Sequence, residues 1–529
     1  MIHDIVNQHI QNVLPIYLLD LQDMKLVRRS TVGEHLDNDI TEYIQARIDG
    51  IMKETDLTCL HNYLAQSPQV VEDLTVETRT WIAEKTGYAI FSHRWLDMGE
   101  LTFQDISKFK TLSVPGFRML IDKSDRKLLR GTDILDQVNA YSRKTPQNRD
   151  DHSKLMEVMK ELCRDMSVVE TRDCQDFVKL VEFFNISSKY GCKYVWFDSG
   201  CIDKSSSTEL EESIRSMFNW YRNSKICIVH LADTTSLLDL GRDPWFSRGW
   251  TFQELLAPKR VKFFRKSWQH ITLDSINNDK DSDFKVSLWQ IISLITGIPL
   301  PTLLDFTPGI DHARDALVWV SNRKTTRIED IAYCLIGLLG IPFSIAYGEG
   351  NMAFRRLQVE ILQHSHDKGL FAWIGQPSAY NSMLAEGPQG FSESSRPSHL
   401  RPLSMPTSQT VTNVFDPTYA FTNYGLRIPL SIYTVRSWEV WHAPTFSFTL
   451  RAEKLGNIQA QFIVKSPNLE DYDDLKVALL VDLITTKSYA SIAILLGYKD
   501  GRYKRIPTKK HIILSRPTKP IAPEMIFIE

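Results

Sequence analysis

Side chains able to do chemistry concentrate between Tyr194 and Phe264. Glu254 ends the run Ser247-Arg248-Gly249-Trp250-Thr251-Phe252-Gln253-Glu254, which also holds a cation and an indole. A carboxylate can stabilise a positive charge that develops beside it, an indole can stack on a flat ring, and a guanidinium can bind an anion. We therefore place the function around Glu254 as a catalytic residue, with Arg248 and Trp250 as ligand-binding residues.

A second polar group follows the apolar run Tyr88 to Ser92, which predicts a strand buried on both faces. His93, Arg94 and Trp95 come next, at the carboxyl end of that strand, where ligands collect in open α/β sheets. We predict His93 as a second catalytic residue that approaches Glu254, and Ser92, Arg94 and Trp95 as ligand-binding residues.

Two carboxylates and a glycine complete the predicted site. Asp198 and Asp203 follow another apolar run, Tyr194 to Phe197, and Gly249 lies where a helix should begin. Free backbone N–H groups at a helix start can hold pyrophosphate. Asp198, Asp203 and Gly249 are therefore predicted to bind ligand.

Each of these residues also has an ordinary structural interpretation. Glu254 could form a salt bridge with Arg248 or Arg222, and His93 could be a hydrogen-bonded residue at a strand end. Trp245 and Trp250 could be core aromatics, and Asp198 and Asp203 could cap a turn. A different chemistry, a thiol hydrolase that uses Cys201 with His93, is a third interpretation.

The surrounding pattern predicts the elements that position these side chains. Strands at Tyr194–Asp198, Ile226–Leu231 and Val261–Phe264 alternate with helices, which indicates a parallel sheet flanked by helices. The predicted domains are a helical N-terminal extension (1–80), an α/β domain (81–270) with an insertion at about 99–175, a helical segment (271–374), a linker (375–413) and a β-rich accessory domain (414–529).

Bulk properties limit the function classes. The 529 residues carry a formal net charge of −2, which gives no reason to expect nucleic acid or an acidic membrane as partner. We expect no signal peptide and no membrane span, because no apolar segment has the required length and flanks. The seven cysteines are scattered without a CxxC pair, so we expect free thiols in the cytoplasm and no metal site. The basic stretch from Lys499 to Lys510 is expected to be a solvated surface.

Four motifs resemble the fungal heterokaryon-incompatibility (HET) domain, in the same order along the chain. They are Tyr88-Ala89-Ile90-Phe91-Ser92-His93-Arg94-Trp95, Tyr194-Val195-Trp196-Phe197-Asp198-Ser199-Gly200-Cys201-Ile202-Asp203, the segment around Tyr221-Arg222-Asn223, and Trp245 to Pro258. Glu329 to Leu335 and Tyr347 to Gly350 look like the segment that commonly follows this domain. The first motif departs from the family pattern, because Leu96 stands where glycine is usual.

The resemblance implies a role in non-self recognition between fused fungal cells that ends in cell death, a form of innate immunity, and a partner that triggers it. It also implies a TIR-type, flavodoxin-like fold, and some TIR domains hydrolyse NAD with a glutamate in the helix that corresponds to Glu254. No bound cofactor is then expected, and NAD is the expected substrate. The alternative is a non-enzymatic module in which the same fold self-associates or binds a partner.

Overall fold

The structure is a computed structural model that describes residues 2–22, 25–52, 68–95, 100–107, 172–272, 277–281, 285–392, 401–402, 419–441, 447–452, 455–461, 469–484, 489–515 and 521–529. The chain divides into two compact units. The first consists of Met1–Phe246 and Gln253–Phe306, and the second of Ser247–Phe252 and Thr307–Glu529. Residues 108–171 of the predicted insertion, and residues 393–400 and 403–413 of the predicted linker, lie outside the described residues. The predicted domain boundaries stay predictions.

A six-stranded sheet forms the centre of the described part of the first unit. Its strands are β1 (Tyr17–Asp20), β2 (Lys25–Arg28), β3 (Tyr88–His93), β4 (Tyr194–Trp196), β5 (Ile226–Leu231) and β6 (Val261–Arg265). The order is β2-β1-β4-β3-β5-β6; strands β3 to β6 run parallel, whereas β1 and β2 are antiparallel to their neighbours. The predicted parallel sheet is therefore confirmed, and β3 and β5 are buried at every residue, as continuous apolar runs require.

Ten described helices accompany these strands in the first unit. They are α1 (Ile2–Val13), α2 (Arg29–Met52), α3 (Pro68–Thr86), α4 (Phe103–Ser107), α5 (Arg172–Lys189), α6 (Asp198–Cys201), α7 (Ser207–Asn223), α8 (Thr251–Leu256), α9 (Lys285–Thr296) and α10 (Leu300–Leu304). The first two residues of α8 belong to the second unit. Helix α7 shows why such segments form. Ser206 caps it by accepting from the Glu209 amide, and Ile214, Met217, Phe218 and Tyr221 recur at helical spacing and are buried.

Strands β1 and β2 were not predicted, because the first 80 residues were interpreted as helical. Each strand has four residues, which is too short to show a period of two against the helices on either side. Through β1 the N-terminal segment extends the sheet next to β4. It is therefore part of the sheet rather than a purely helical extension.

The described part of the second unit combines helices with a large sheet. Its helices are α11 (Ala313–Val320), α12 (Asp330–Leu339) and α13 (Met352–His364). A hairpin is formed by β7 (Pro377–Ser378) and β8 (Asn381–Ala385), and the ten-stranded sheet by β9 (Arg401–Pro402), β10 (Ala420–Thr422), β11 (Gly425–Trp441), β12 (Ser447–Ala452), β13 (Gly456–Gln461), β14 (Asp474–Ile484), β15 (Tyr489–Lys499), β16 (Arg502–Ile506), β17 (Ile512–Ser515) and β18 (Glu524–Ile528).

These elements confirm the predicted mixed α/β class and its β-rich C-terminal part. The sequence did not predict strands β16, β17 and β18, because they have only four or five residues each. All three pair within the sheet. Within the ranges described above, no helix combines the length and the apolar character needed to cross a bilayer.

Candidate active site

Glu254 lies on α8 with its carboxylate against the end of β3. Its Oε2 accepts a hydrogen bond of 2.5 Å from the Ser92 hydroxyl, and the residue is 7% exposed. The Trp245 indole N–H donates in turn to the Ser92 oxygen, at 2.9 Å. The structure thus brings together the predicted residues Ser92 and Glu254 and adds Trp245, which the sequence favoured as a core aromatic.

Local turns fix the position of Trp245. Asp243 accepts from the Trp245 amide through one carboxylate oxygen, and from the Asp233 amide and the Thr234 hydroxyl through the other. Because Trp245 is 0% exposed and its backbone is held by Asp243, the indole donor has a fixed direction. Asp243 therefore orients Trp245, which orients the Ser92 hydroxyl toward Glu254.

Tyr221 on α7 is the other hydroxyl at this carboxylate. It donates to the Phe91 carbonyl at 2.9 Å. Burial raises the pKa of Tyr221 well above its usual value, and the charge of Glu254 together with a hydrogen bond to it raises it further. Burial also raises the pKa of the Cys227 thiol, with Glu254 as the next cause. Glu254 therefore sits in a low-dielectric environment, where a carboxylate acts strongly on any charge that forms next to it.

His93 points to the opposite face of the sheet from Ser92, because successive residues of a strand alternate between faces. Its ring stacks on Phe91 with 4.2 Å between centroids, and its Nε2 is 3.5 Å from Glu100 Oε2. His93 is also in register with His230 on β5. The expectation that Ser92 approaches Glu254 is therefore confirmed. The same expectation is wrong for the His93 side chain, whose catalytic role stays a prediction.

A buried group of ionisable side chains surrounds His93. The second oxygen of Glu100 is 2.5 Å from Lys179 Nζ, and the three side chains are at most 8% exposed. His230 stacks on Trp268 at 4.1 Å, and burial lowers its pKa to about 3, with Lys179 and His93 as further causes. Residue types and spacing could not predict this group, because Glu100 and Lys179 are 79 residues apart.

Arg94 and Trp95 extend from β3 toward different neighbours. Arg94 Nη2 forms an ion pair of 3.3 Å with Asp233. The Trp95 indole donates to both carboxylate oxygens of Asp198, at 3.0 and 2.8 Å, and Lys204 Nζ lies 3.7 Å from the centroid of the Trp95 ring. Trp95 and Asp198 therefore meet, and Asp198 orients an indole rather than capping the turn.

Asp203 has the structural role that was its alternative interpretation. Its Oδ1 accepts from the amide and hydroxyl of Ser205, at 2.9 and 2.6 Å, and from Gln104 at 3.0 Å. An aspartate that accepts from the amide two residues on forms an Asx turn. It shapes the loop that leads into α7, and its ligand-binding role stays a prediction.

Arg248, Gly249 and Trp250 belong to the second unit and contact other residues of that unit. The Gly249 amide donates to the Lys324 carbonyl at 2.8 Å. Contrary to the expectation from the sequence, this amide is therefore not a free donor for pyrophosphate. A Cβ on Gly249 would lie 2.4 Å from a Thr325 methyl group, which explains the glycine. The Trp250 indole hydrogen-bonds Asp330.

Arg248 contributes its carbonyl, which accepts from the Arg323 guanidinium at 2.8 Å. In the first unit Arg222 donates to the Phe306 carbonyl at 2.7 Å.

Cys201 is fully buried, and burial raises the pKa of its thiol to about 12. Because the thiolate is the nucleophile, this pKa argues against the thiol-hydrolase interpretation.

Replacing Ser92 with alanine should destabilise the first unit by about 1–3 kcal/mol, because a buried donor and a buried acceptor lose their partner together. Urea unfolding followed by tryptophan fluorescence measures the change. The exposed Ser188→Ala is the control and should change the free energy of unfolding by less than about 0.5 kcal/mol. Equal effects of the two substitutions would contradict the Ser92–Glu254 hydrogen bond.

The fold and the site define an α/β domain with a buried carboxylate held at the end of a parallel strand. Residues 148–241 match the family model described as Heterokaryon incompatibility protein (HET). A stretch of 183 residues is 40% identical to "Vegetative incompatibility protein HET-E-1" of Podospora anserina. The matched stretch covers 32% of this chain and 13% of that relative. One segment of the chain is therefore similar to the HET family. No solved structure matches the chain.

Proposed function

We propose that the chain is an effector of vegetative incompatibility that hydrolyses NAD at the bond between nicotinamide and ribose. The similarity to a vegetative incompatibility protein supports the biological role. One observation supports the chemistry most directly, which is the Glu254 carboxylate held by Ser92 beside the carboxyl end of β3. Death of the fused cell would follow from loss of NAD.

The order of the parallel strands supports a TIR-type fold. Counted along the chain, the parallel strands β3, β4, β5 and β6 lie in the order second, first, third, fourth. This is the order of flavodoxin-like sheets, in which ligands bind at the carboxyl ends of the strands where the order reverses. That reversal lies between β3 and β5, and β3 carries Ser92, which donates a hydrogen bond to Glu254.

In the proposed reaction, the bond between ribose C1′ and the nicotinamide nitrogen breaks, and nicotinamide leaves as a neutral ring with the bonding electrons. Positive charge develops on the ribose, and the Glu254 carboxylate stabilises it, as glycosidase carboxylates do. Water then adds to C1′ and releases a proton, which gives ADP-ribose and nicotinamide. Ser92 orients the carboxylate, and no strong general acid is required.

Substrate access is the demanding step, because Glu254 is 7% exposed. The proposal therefore includes self-association, through which the assembled form opens the site. A cytoplasmic location belongs to the same proposal and is supported by Cys192, Cys201, Cys227 and Cys334, which are free thiols.

The test is nicotinamide release from NAD by the purified chain, alone and fused to a tetrameric coiled coil, followed by chromatography. We expect release from at least the assembled form, and Glu254→Gln should lower the rate about 10²–10³-fold, as the loss of an electrostatic stabiliser does. The control is Glu209→Gln, because Glu209 is another partly buried carboxylate of the first unit, paired with Arg28. Equal inactivity of the wild-type and Glu254→Gln fusions would refute NAD hydrolysis.

The low exposure of Glu254 also favours a second function, a non-enzymatic module in which the carboxylate orders the core. Expression of the chain in fungal cells distinguishes the two functions. Cell death that persists in Glu254→Ala at normal abundance would assign the effect to assembly, whereas its loss in both Glu254→Ala and Glu254→Gln would assign it to the carboxylate.

A further inference from the structure

One corner of the ten-stranded sheet exposes aromatic and basic side chains on the same face. Along β18, Met525 and Phe527 are 37% and 39% exposed, whereas Ile526 and Ile528 between and after them are buried. Phe527 is in register with Arg427 on β11, and Arg427 is exposed. Because partners in register share a face, Arg427 lies beside the Phe527 ring.

Tyr424 joins this corner from the turn between β10 and β11. It is 59% exposed, and its ring centroid is 6.4 Å from that of Phe527 at an angle of 68°. The Arg502 guanidinium lies 5.7 Å from the centre of the Tyr424 ring. Two partly exposed rings and two guanidinium groups are thus placed together by their contacts and by strand register.

Two lysines add to the positive charge. Lys499 on β15 is in register with Arg502, and Lys504 is two residues further along β16, so both share the face of Arg502. Both are exposed. Three carboxylates are close to these cations: Asp500 at the tip of the turn, Glu529 after β18, and the exposed Asp473, whose amide donates to the Tyr498 carbonyl next to Lys499. The four cations exceed them by one. We call the surface formed by Tyr424, Met525, Phe527, Arg427, Arg502, Lys499 and Lys504 the aromatic–basic face.

Arg505 shows that the basic stretch from Lys499 to Lys510 is not uniform. It is 4% exposed and donates to the carbonyls of Phe371 and Trp373. The alternation of β16 therefore separates an inward arginine with a structural role from the outward Arg502 and Lys504. The sequence prediction of a merely solvated stretch did not include this separation, and the net charge of −2 conceals the local excess of cations.

We propose that the aromatic–basic face binds single-stranded nucleic acid, with bases stacked on Tyr424 and Phe527 and phosphates paired with Arg427, Arg502, Lys499 and Lys504. Exposed rings beside cations on a sheet are the combination that binds unpaired bases without strong sequence preference. Stacked base pairs in a duplex do not offer their faces to such rings, so single strands are favoured. The proposal is independent of NAD hydrolysis.

The same face fits other anionic partners less well. Insertion into a membrane surface requires apolar groups that reach about 5–10 Å into the headgroup and acyl region. Met525 and Phe527 lie within a regular strand and are less than half exposed, so they do not project that far. An acidic polypeptide would use the cations but would leave the ring faces without a partner.

The experiment measures the fluorescence anisotropy of fluorescein-labelled 12-nucleotide RNA and DNA of mixed sequence, titrated with the full chain at several salt concentrations. We expect saturable binding in which log K falls with log salt at a slope of about −2.8, since four neutralised phosphates each contribute about 0.7 for single strands. Unlabelled duplex should compete poorly.

Three double variants separate the contributions. Arg427→Ala with Arg502→Ala should reduce the slope by about 1.4. Tyr424→Leu with Phe527→Leu keeps apolar side chains on the strand and should weaken binding about tenfold or more, with the slope unchanged. Arg215→Ala with Arg451→Ala removes two other exposed arginines and should leave binding within about twofold of wild type.

Several results would overturn the proposal. One is the absence of binding at about 100 μM protein and low salt, and another is binding that all three double variants weaken equally. Binding to polyglutamate or to phosphatidylserine vesicles but not to the oligonucleotides would assign the face to an acidic polypeptide or a lipid surface. Circular dichroism of every variant ensures that a lost signal reflects the face and not the fold.

Discussion

Asp279→Ala is expected to lower the free energy of unfolding of the first unit by about 3–5 kcal/mol, as breaking a buried ion pair by removing one partner does. Asp279 lies 3.1 Å from Lys262 Nζ, and both side chains are 0% exposed. The carboxylate also accepts from the Thr272 hydroxyl at 2.5 Å and from the Phe263 amide at 2.8 Å. Its removal leaves a buried ammonium on the edge strand β6 without its charge partner.

Urea unfolding of two further variants tests this explanation. Asp281→Ala removes an exposed carboxylate two residues away and should change the free energy of unfolding by less than about 0.5 kcal/mol. Adding Lys262→Met to Asp279→Ala should recover part of the loss, because the uncompensated charge disappears. If Asp279→Ala and Asp281→Ala have equal effects, the pair is not buried in solution.

The sequence predicted best where a continuous apolar run has turns on both sides. Strand β5 is observed at Ile226–Leu231, as predicted, and β3 and β6 each extend one residue beyond the prediction. Such runs are informative because a parallel strand is buried on both faces and tolerates few polar residues. The four-residue strands β1 and β2 lack this signal, since pairing with β4 rather than local pattern decides their conformation.

The candidate site shows what a position along the chain can and cannot predict. The approach of Ser92 to Glu254 followed from strand end and helix position, and the structure places these residues at 2.5 Å. His93 was grouped with them because it is the next residue, although alternation along a strand turns it to the opposite face. A strict application of the two-residue period would have separated His93 from Ser92 in advance.

Residues that are close in sequence also belong to different structural contexts. Trp250 is four residues before Glu254, yet its indole hydrogen-bonds Asp330 of the second unit. Conversely, Trp245 and Ser92 are 153 residues apart and share a hydrogen bond. Contacts of this kind depend on tertiary packing, so residue type and spacing alone cannot predict them.

Acidification below pH 6.5 is expected to destabilise the first unit through the partly buried His9 and the buried His230. His9 Nε2 is 3.0 Å from the Thr86 hydroxyl, and burial lowers its pKa to about 4. Burial lowers the pKa of His230, stacked on Trp268, to about 3. Between pH 6.5 and these values the unfolded chain binds more protons than the folded chain, so the free energy of unfolding falls as pH falls.

The expected size follows from about 1.4 kcal/mol per pH unit for each group. At pH 4.5, about two units below the unfolded pKa, each histidine lowers the free energy of unfolding by roughly 2–3 kcal/mol relative to neutral pH. His230→Phe keeps a flat ring against Trp268 and removes the proton site. It should therefore reduce the pH-dependent loss of the free energy of unfolding by the contribution of one histidine. The measurement is urea unfolding at intervals from pH 7.5 to 4.5.

His35→Phe is the control for this measurement, because His35 is exposed and an exposed imidazole loses little solvation when the chain folds. It should leave the slope of stability against pH as in the wild type. If His230→Phe also leaves the slope unchanged, His230 accepts a proton in the folded state without penalty, and the ring stacked on Trp268 is not shielded from water. A flattened slope would instead establish that the face of the sheet that carries His93 and His230 is dry, which separates its chemistry from that of the Glu254 face.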